Sequence, residues 1–293
     1  MTELLDEYEF ALCLTHDVDR PFKTFQAPYY ALQERDPSHL RSLLNDEQPY
    51  WQFEEVMSLE DDLGVRSSFY FLNEKRLWEK GLREWLRPES WKLYGGRYRI
   101  EDERIVNVIR DLDRGGWEVG IHGSYETYDD RGRLWYEKET LERILGKEIL
   151  GGRQHYLRLK RPTTWEHHRA IGLKYDATLG SNGGYGFDGQ YDVLRPFNDE
   201  FVVFPLTAME RPLLESAGST EAALRECNRL LDEAAANDAV MTVLWHPRYF
   251  NESEFPGYRE LYVELIEGAQ DRGGWVGPCG ECYDRLELEE MIQ

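Results

Sequence analysis

Cysteine is scarce: there are four in a chain of 293 residues. That is too few for the disulfide framework of a small secreted scaffold. Positive charge is scarce too. Only 35 Lys and Arg, most of them Arg, stand against 56 Asp and Glu, giving a formal net charge of -21. A phosphate backbone needs a basic footprint, so this balance argues against nucleic acid as a partner, and equally against adhesion to anionic membranes. No apolar run approaches the roughly 20 residues of a membrane span, so no membrane insertion is expected. No apolar stretch precedes Glu7-Tyr8-Glu9, so no signal peptide is read there, and a cytoplasmic protein with reduced thiols is expected. Pro- or Ser-rich linkers, repeats and low-complexity tracts are also lacking, which favours a single domain over residues 1–293.

What is present is enough for a large core: 41% hydrophobic and 13% aromatic residues mark a globular chain, not a disordered one. The acidic residues are spread along the whole length. An acidic surface with few Lys suits a protein adapted to high salt, where ions screen the self-repulsion; an ordinary acidic cytosolic protein is the plainer alternative.

Strand-like and helix-like segments alternate. Strands are expected at Tyr8–Leu14, Ser67–Leu72, Trp117–Ile121, Arg153–Leu159, Tyr175–Leu179, Phe201–Leu206 and Val240–Trp245. Apolar residues at helical spacing predict helices over Trp51–Leu63, Ile100–Leu112, Glu137–Leu145 and Glu221–Ala236. Gly64, Gly115-Gly116 and Gly146 supply stops for the first three. Residues 26–50 read as a long loop with a short helix. The alternation implies a parallel sheet with crossover helices.

Chemistry gathers where those strands end. The string Thr15-His16-Asp17-Val18-Asp19 follows the first strand. Side chains two apart in a strand share a face, so Asp17 and Asp19 point the same way. Two adjacent carboxylates are easiest to explain with a metal or a cationic group between them. His122, Arg153 with His155, Asp176 and His246 fall at the ends of later strands. A barrel collects all such ends on one face.

Four segments in order carry a family resemblance: Thr15-His16-Asp17-Val18-Asp19, His122-Gly123-Ser124-Tyr125, Arg153-Gln154-His155-Tyr156-Leu157, and Leu244-Trp245-His246-Pro247. Together they resemble the polysaccharide deacetylases of the NodB-homology, carbohydrate esterase type, over residues 8–249. The resemblance implies an α/β fold, a distorted (β/α) barrel of about seven strands, and one divalent metal, usually zinc. It implies an enzyme, a hydrolase that removes an acetyl group from an N-acetylated or O-acetylated sugar or glycan. It also implies roles: Asp17 as base, Asp19 and His122 as metal ligands, Arg153 as the arginine that orients the base, the Tyr156 backbone N–H at the oxyanion, and His246 as general acid.

The family motif has a second His four residues after the first, where this chain has Glu126. Glu126 and His155 are therefore both candidates for the third ligand, and loss of the metal is the third option. Two other functions stay open: hydrolysis of another non-peptide C–N bond, and non-catalytic glycan binding by a decayed site. Asp176 and Arg195 are candidate substrate-side residues, with a structural cap and a surface ion pair as the plainer readings. His16 is expected to pack on the far face of its strand, and His167-His168 to be solvated. Cys279 and Cys282 lack the second pair of a zinc ribbon and read as structural. Tyr29-Tyr30, Tyr50-Trp51, Trp91 and Trp135-Tyr136 could stack on sugar rings, although packing is the commoner fate of such residues.

Overall fold

Every residue of Ala11–Val18 is buried, and this run forms β1. A strand covered on both faces belongs to a parallel α/β sheet or a barrel. The computed structural model, which describes residues 7–24, 26–33, 35 and 48–290, shows the barrel. β2 (Ser68–Leu72), β3 (Glu118–Gly123), β4 (Gly151–Gln154), β5 (Tyr175–Asp176) and β6 (Val202–Val203) follow outward from β1, each parallel to its neighbour. On the other side of β1 lie β8 (Val240–Leu244) and then β7 (Leu206–Met209), also parallel.

The order is β6-β5-β4-β3-β2-β1-β8-β7. Its two end strands are separated in the chain only by Phe204 and Pro205. One bent segment thus pairs first with β5 and then with β8, and closes the ring. Counted as one strand, it makes a ring of seven. A proline that cannot donate to a ladder sits at the bend, where the pairing changes partner. β9 (Trp275–Gly277) lies beside the N-terminal half of β1, at Ala11–Cys13, and β2 takes the C-terminal half, at Thr15–Val18.

Alternation along β1 sorts its side chains. Leu12 and Leu14 join the large cluster under the helices, whereas Ala11 and Cys13 join Tyr70, Tyr175 and Phe204 inside the ring. Thr15 and Asp17 continue the inner face, and His16 and Val18 the outer. The outer layer is built from amphipathic helices. Glu103–Arg114 buries Ile105, Val108, Ile109 and Leu112, and Thr220–Ala236 buries Ala223, Cys227, Leu230, Leu231 and Ala234. Gly64 (φ 68°) and Gly146 (φ 77°) end the helices Phe53–Leu63 and Arg131–Leu145 in the left-handed region, where a side chain would be strained.

Several boundaries differ from the sequence expectation. β1 runs on to Val18, because β2 pairs with it from Thr15 to Val18 after β8 stops at Thr15. β4 stops at Gln154, and His155–Leu157 forms a short 3-10 turn with Tyr156 and Leu157 at φ 58° and 52°. A helix spans Gln26–Gln33; position 34, positions 36–47 and the side chains of Tyr29 and Tyr30 lie outside the described residues. His168 is buried, not solvated: it faces the Asp176 carboxylate at 3.2 Å and Gln154 at 2.8 Å. His16 packs as expected, bonded to the Trp245 carbonyl and to Glu60. Trp91, Trp135 and Tyr136 are exposed and do not line the cleft, and Tyr50 is buried. All four cysteines are free and buried, Cys279 and Cys282 in the first turn of the last helix. Among the described residues no helix is long and apolar enough to cross a membrane.

Candidate active site

The C-terminal ends of the strands open into a cleft of about 550 Å³ lined by Asp17, Asp19, His122, His155, Tyr156, His246 and Arg248, among others. Asp17 reaches it from the inner face of β1. Register places Arg153 behind it: β3 aligns with β4 so that His122 stands opposite Arg153. The Arg153 guanidinium is fully buried and fixed on three sides, donating to the Ala177 carbonyl (2.7 Å), the Thr15 hydroxyl (2.9 Å) and Asp17 Oδ1 (2.8 Å). Burial opposes that charge, but Asp17 and Tyr70 outweigh it and hold the Arg153 pKa above its ordinary value. A charge-assisted pair of this kind fixes Asp17 Oδ1 and leaves Oδ2 turned toward His122, 3.7 Å away.

Asp19, His122 and His155 bring one ligand atom each to within 4.8 Å of one another. The tautomers follow from their neighbours. His122 Nδ1 lies 3.0 Å from the Arg153 carbonyl, which can only accept, so the proton sits on Nδ1 and the Nε2 lone pair faces Asp17 and Asp19. His155 Nε2 lies 3.2 Å from Arg97, which can only donate, so this nitrogen bears a lone pair that accepts from Arg97 and would exchange that hydrogen bond for a cation. Burial lowers the pKa of both rings, reinforced by Arg97 at His155, and keeps them neutral. Burial pushes the Asp19 carboxyl up, but the positive charge around it, from His246, Arg248 and Arg97, outweighs this and holds its pKa well below the usual range. Two neutral imidazoles and one carboxylate form a donor set that suits zinc and related divalent ions. The buried Asp19 Oδ1 has no hydrogen-bond partner, as a position reserved for a cation would require.

On the far side of Asp19 stands His246. Its Nδ1 is 2.7 Å from Glu210 Oε1 and its Nε2 is 3.8 Å from Asp19 Oδ2. Burial would lower its pKa, but the Glu210 charge outweighs this and raises it. The ring is thus oriented, and biased toward the protonated form.

Of the residues picked from sequence, the structure brings Asp17, Asp19, His122, His155, Tyr156 and His246 to one cleft with Arg153 behind them. Glu126 is not among them. It is exposed on the turn after β3, with the Tyr94 hydroxyl 3.5 Å from its carboxylate. Four-residue spacing aligns two side chains on a helix, but the chain here leaves a strand and turns, so the spacing carries no alignment. Asp176 is fully buried beneath the cleft, where it accepts from Trp165 Nε1, from the Thr178 hydroxyl and from the Thr178 N–H, and faces His168. It supports the end of β5 and does not line the cleft. Arg195 is half-buried before β6 and does not line the cleft either. Sequence reasoning misses Glu210, Arg97 and Arg248. Glu210 is one of 56 acidic residues and no local pattern singles it out; only the fold shows that it meets His246.

No protein-family model and no curated protein sequence matches this chain. Solved structures do. The chain is similar to a Mycobacterium smegmatis protein provisionally described as a polysaccharide deacetylase, with 16% identity, coverage of 97% of this chain and 92% of that one, and a TM-score of 0.63. A Pseudomonas aeruginosa PAO1 protein, likewise provisionally a polysaccharide deacetylase, gives 13%, 98%, 94% and 0.62. Puue allantoinase gives 11%, 96%, 91% and 0.61. At such identities the likeness establishes the fold: an α/β barrel of the kind found in polysaccharide deacetylases.

Proposed function

We propose that this protein is a divalent-metal-dependent hydrolase that removes an acetyl group from an N-acetylated or O-acetylated sugar or glycan, with zinc as the expected metal. One observation carries the reading: the Asp19–His122–His155 triad lies between a carboxylate held by Arg153 and a histidine held by Glu210. A base, a metal position and an acid in one cleft are what amide hydrolysis needs. Asp19, His122 and His155 would hold a divalent cation, which would polarise an acyl oxygen and make a water more acidic. Asp17 Oδ2 is free to take a proton from an attacking water, because Arg153 occupies Oδ1 and fixes the carboxylate plane. His246, oriented by Glu210 and with its pKa raised by that charge, is placed to give a proton to the departing nitrogen or oxygen. The Tyr156 backbone N–H, carried on the left-handed turn after β4, is the candidate second donor to the oxyanion.

The fold of the described polysaccharide deacetylases supports this reading without fixing the substrate. One similar structure is named an allantoinase, and opening a cyclic amide would call on the same base and acid, so hydrolysis of another non-peptide C–N bond is the second reading. The net charge of -21 supports a high-salt working environment, which the assays should include. The test is acetate release from a panel of N- and O-acetylated sugars by zinc-loaded protein, run beside ring opening of cyclic amides. Acetate release that stops in Asp17→Asn supports the proposal. No acetate from any sugar, with ring opening present, would transfer the site to the second reading; neither reaction would leave a binding protein.

A further inference from the structure

Four of the five guanidiniums in and around the cleft are tied to the protein itself. Arg153 holds Asp17, Thr15 and the Ala177 carbonyl. Arg97 donates to the carbonyls of Leu93 and Asp19, and Arg20 to those of Gly95 and Lys92. Arg211 places two nitrogens on Glu215. Arg248 differs. It follows His246-Pro247 on the turn after β8, stacks over the Tyr249 ring at 4.7 Å, and lines the cleft. Its one ion pair among the described residues is with Asp19 Oδ2 at 3.6 Å, beyond hydrogen-bond length. Asp19 is also the carboxylate that a bound cation would engage. A guanidinium fork set in an open cleft, with no carboxylate in hydrogen-bond reach, matches a carboxylate or phosphate in two-point contact. The rest of the protein is strongly acidic, so attraction for an anion must be local, and Arg248 is placed to supply it.

We propose that Arg248 selects substrates whose sugar carries an oxyanion, a carboxylate or a phosphate, close to the acetylated position. The side of the site follows from the geometry. Arg248 lies two residues after His246 on the same turn, and the two approach Asp19 Oδ2 together, at 3.6 and 3.8 Å, while His155 comes to that oxygen from the turn after β4. Arg248 therefore stands on the general-acid side, where the leaving group departs. The anion belongs to the sugar that leaves and not to the acyl group.

This inference rests on the hydrolase reading, and its test separates the two. Zinc-loaded wild type, Arg248→Gln and Arg248→Lys are compared at one fixed salt concentration on N-acetylglucosamine, N-acetylglucosamine-1-phosphate and N-acetylmuramic acid. Turnover is followed by acetate release and binding by calorimetry, with metal content checked for each variant. We expect wild type to favour one anionic probe by about 10- to 100-fold in kcat/KM, the worth of a charged hydrogen-bonded pair. Preference for the phosphate or for the carboxylate identifies which oxyanion is meant. Arg248→Gln should lose the preference, read as the ratio of anionic to neutral kcat/KM within that variant and carried by KM of the anionic probe, and Arg248→Lys should restore part of that ratio. Equal use of neutral and anionic probes by wild type, or equal loss on both in Arg248→Gln, overturns the assignment while leaving the hydrolase reading intact. Charge-dependent binding that needs Arg248, without turnover of any probe, supports the assignment and overturns the hydrolase reading.

Discussion

Glu137 offers a perturbation whose size can be worked from the structure. It sits on the inner side of the helix Arg131–Leu145 and is buried. Its carboxylate accepts from the Ser124 N–H (3.0 Å), the Ser124 hydroxyl (2.6 Å) and Arg133 Nε (2.8 Å). It thereby ties down the segment that leaves β3 two residues after His122. Burial outweighs those donors and raises its pKa from 4.5 to about 7. Below pH about 4.5 the group is protonated in both the folded and unfolded chains. Between pH about 4.5 and 7 the unfolded chain releases the proton and the folded chain keeps it, so stability falls as pH rises. Above 7 both are ionised and the loss is complete. At about 1.4 kcal/mol per pH unit the total is about 3 kcal/mol. Glu137→Gln removes the titration and shifts stability by an amount that does not depend on pH. Urea denaturation of both proteins at pH 5, 6, 7 and 8, at constant ionic strength, gives the difference directly. Wild type should lose about 2.5 kcal/mol relative to Glu137→Gln between pH 5 and 8, most of it before pH 7. A difference that is flat, or that grows in favour of wild type with rising pH, would refute the reasoning.

Glu210→Gln keeps an acceptor for His246 but removes the largest charge opposing burial, so the His246 pKa falls; the alkaline limb of the kcat profile should move to lower pH, with KM little changed. A profile that does not move would show that Glu210 is only structural. Gly152 has no room for a side chain, since a Cβ there would lie 1.9 Å from the Ile121 carbonyl. Gly152→Ala should destabilise by about 3 kcal/mol or more in chemical denaturation, because backbone atoms cannot step aside; a change below about 1 kcal/mol would mean that β3 and β4 can part. Asp17→Asn should abolish turnover while retaining metal, whereas His122→Ala should lose both, as activity and elemental analysis together would show. The reverse pattern would exchange the two roles.

Much of this arrangement is legible in sequence because it rests on period and order. The inner-face position of Asp17 follows from alternation with the apolar residues before it, and the helix stops follow from glycine. What sequence cannot supply is where turns aim a side chain. His155 and Glu126 stand as equal candidates until β4 is seen to end at Gln154 and to swing His155 back toward Asp19. Glu210 begins a helix directly after β7, and the pairing of β7 with β8 is what brings it to His246. His168 reads as solvent-facing because its partners, Gln154 and Asp176, come from two other strands. β9 is three residues long, too short for any periodic signal.

The central claim is that Asp19, His122 and His155, and not Glu126, hold a divalent cation. Elemental analysis after zinc loading and desalting, on wild type, His122→Ala, His155→Ala and Glu126→Ala, tests it most directly. The structure predicts about one equivalent of metal in wild type and Glu126→Ala, and far less in the two histidine variants. Metal-free wild type, or metal that leaves with Glu126 and stays without His155, would contradict the account.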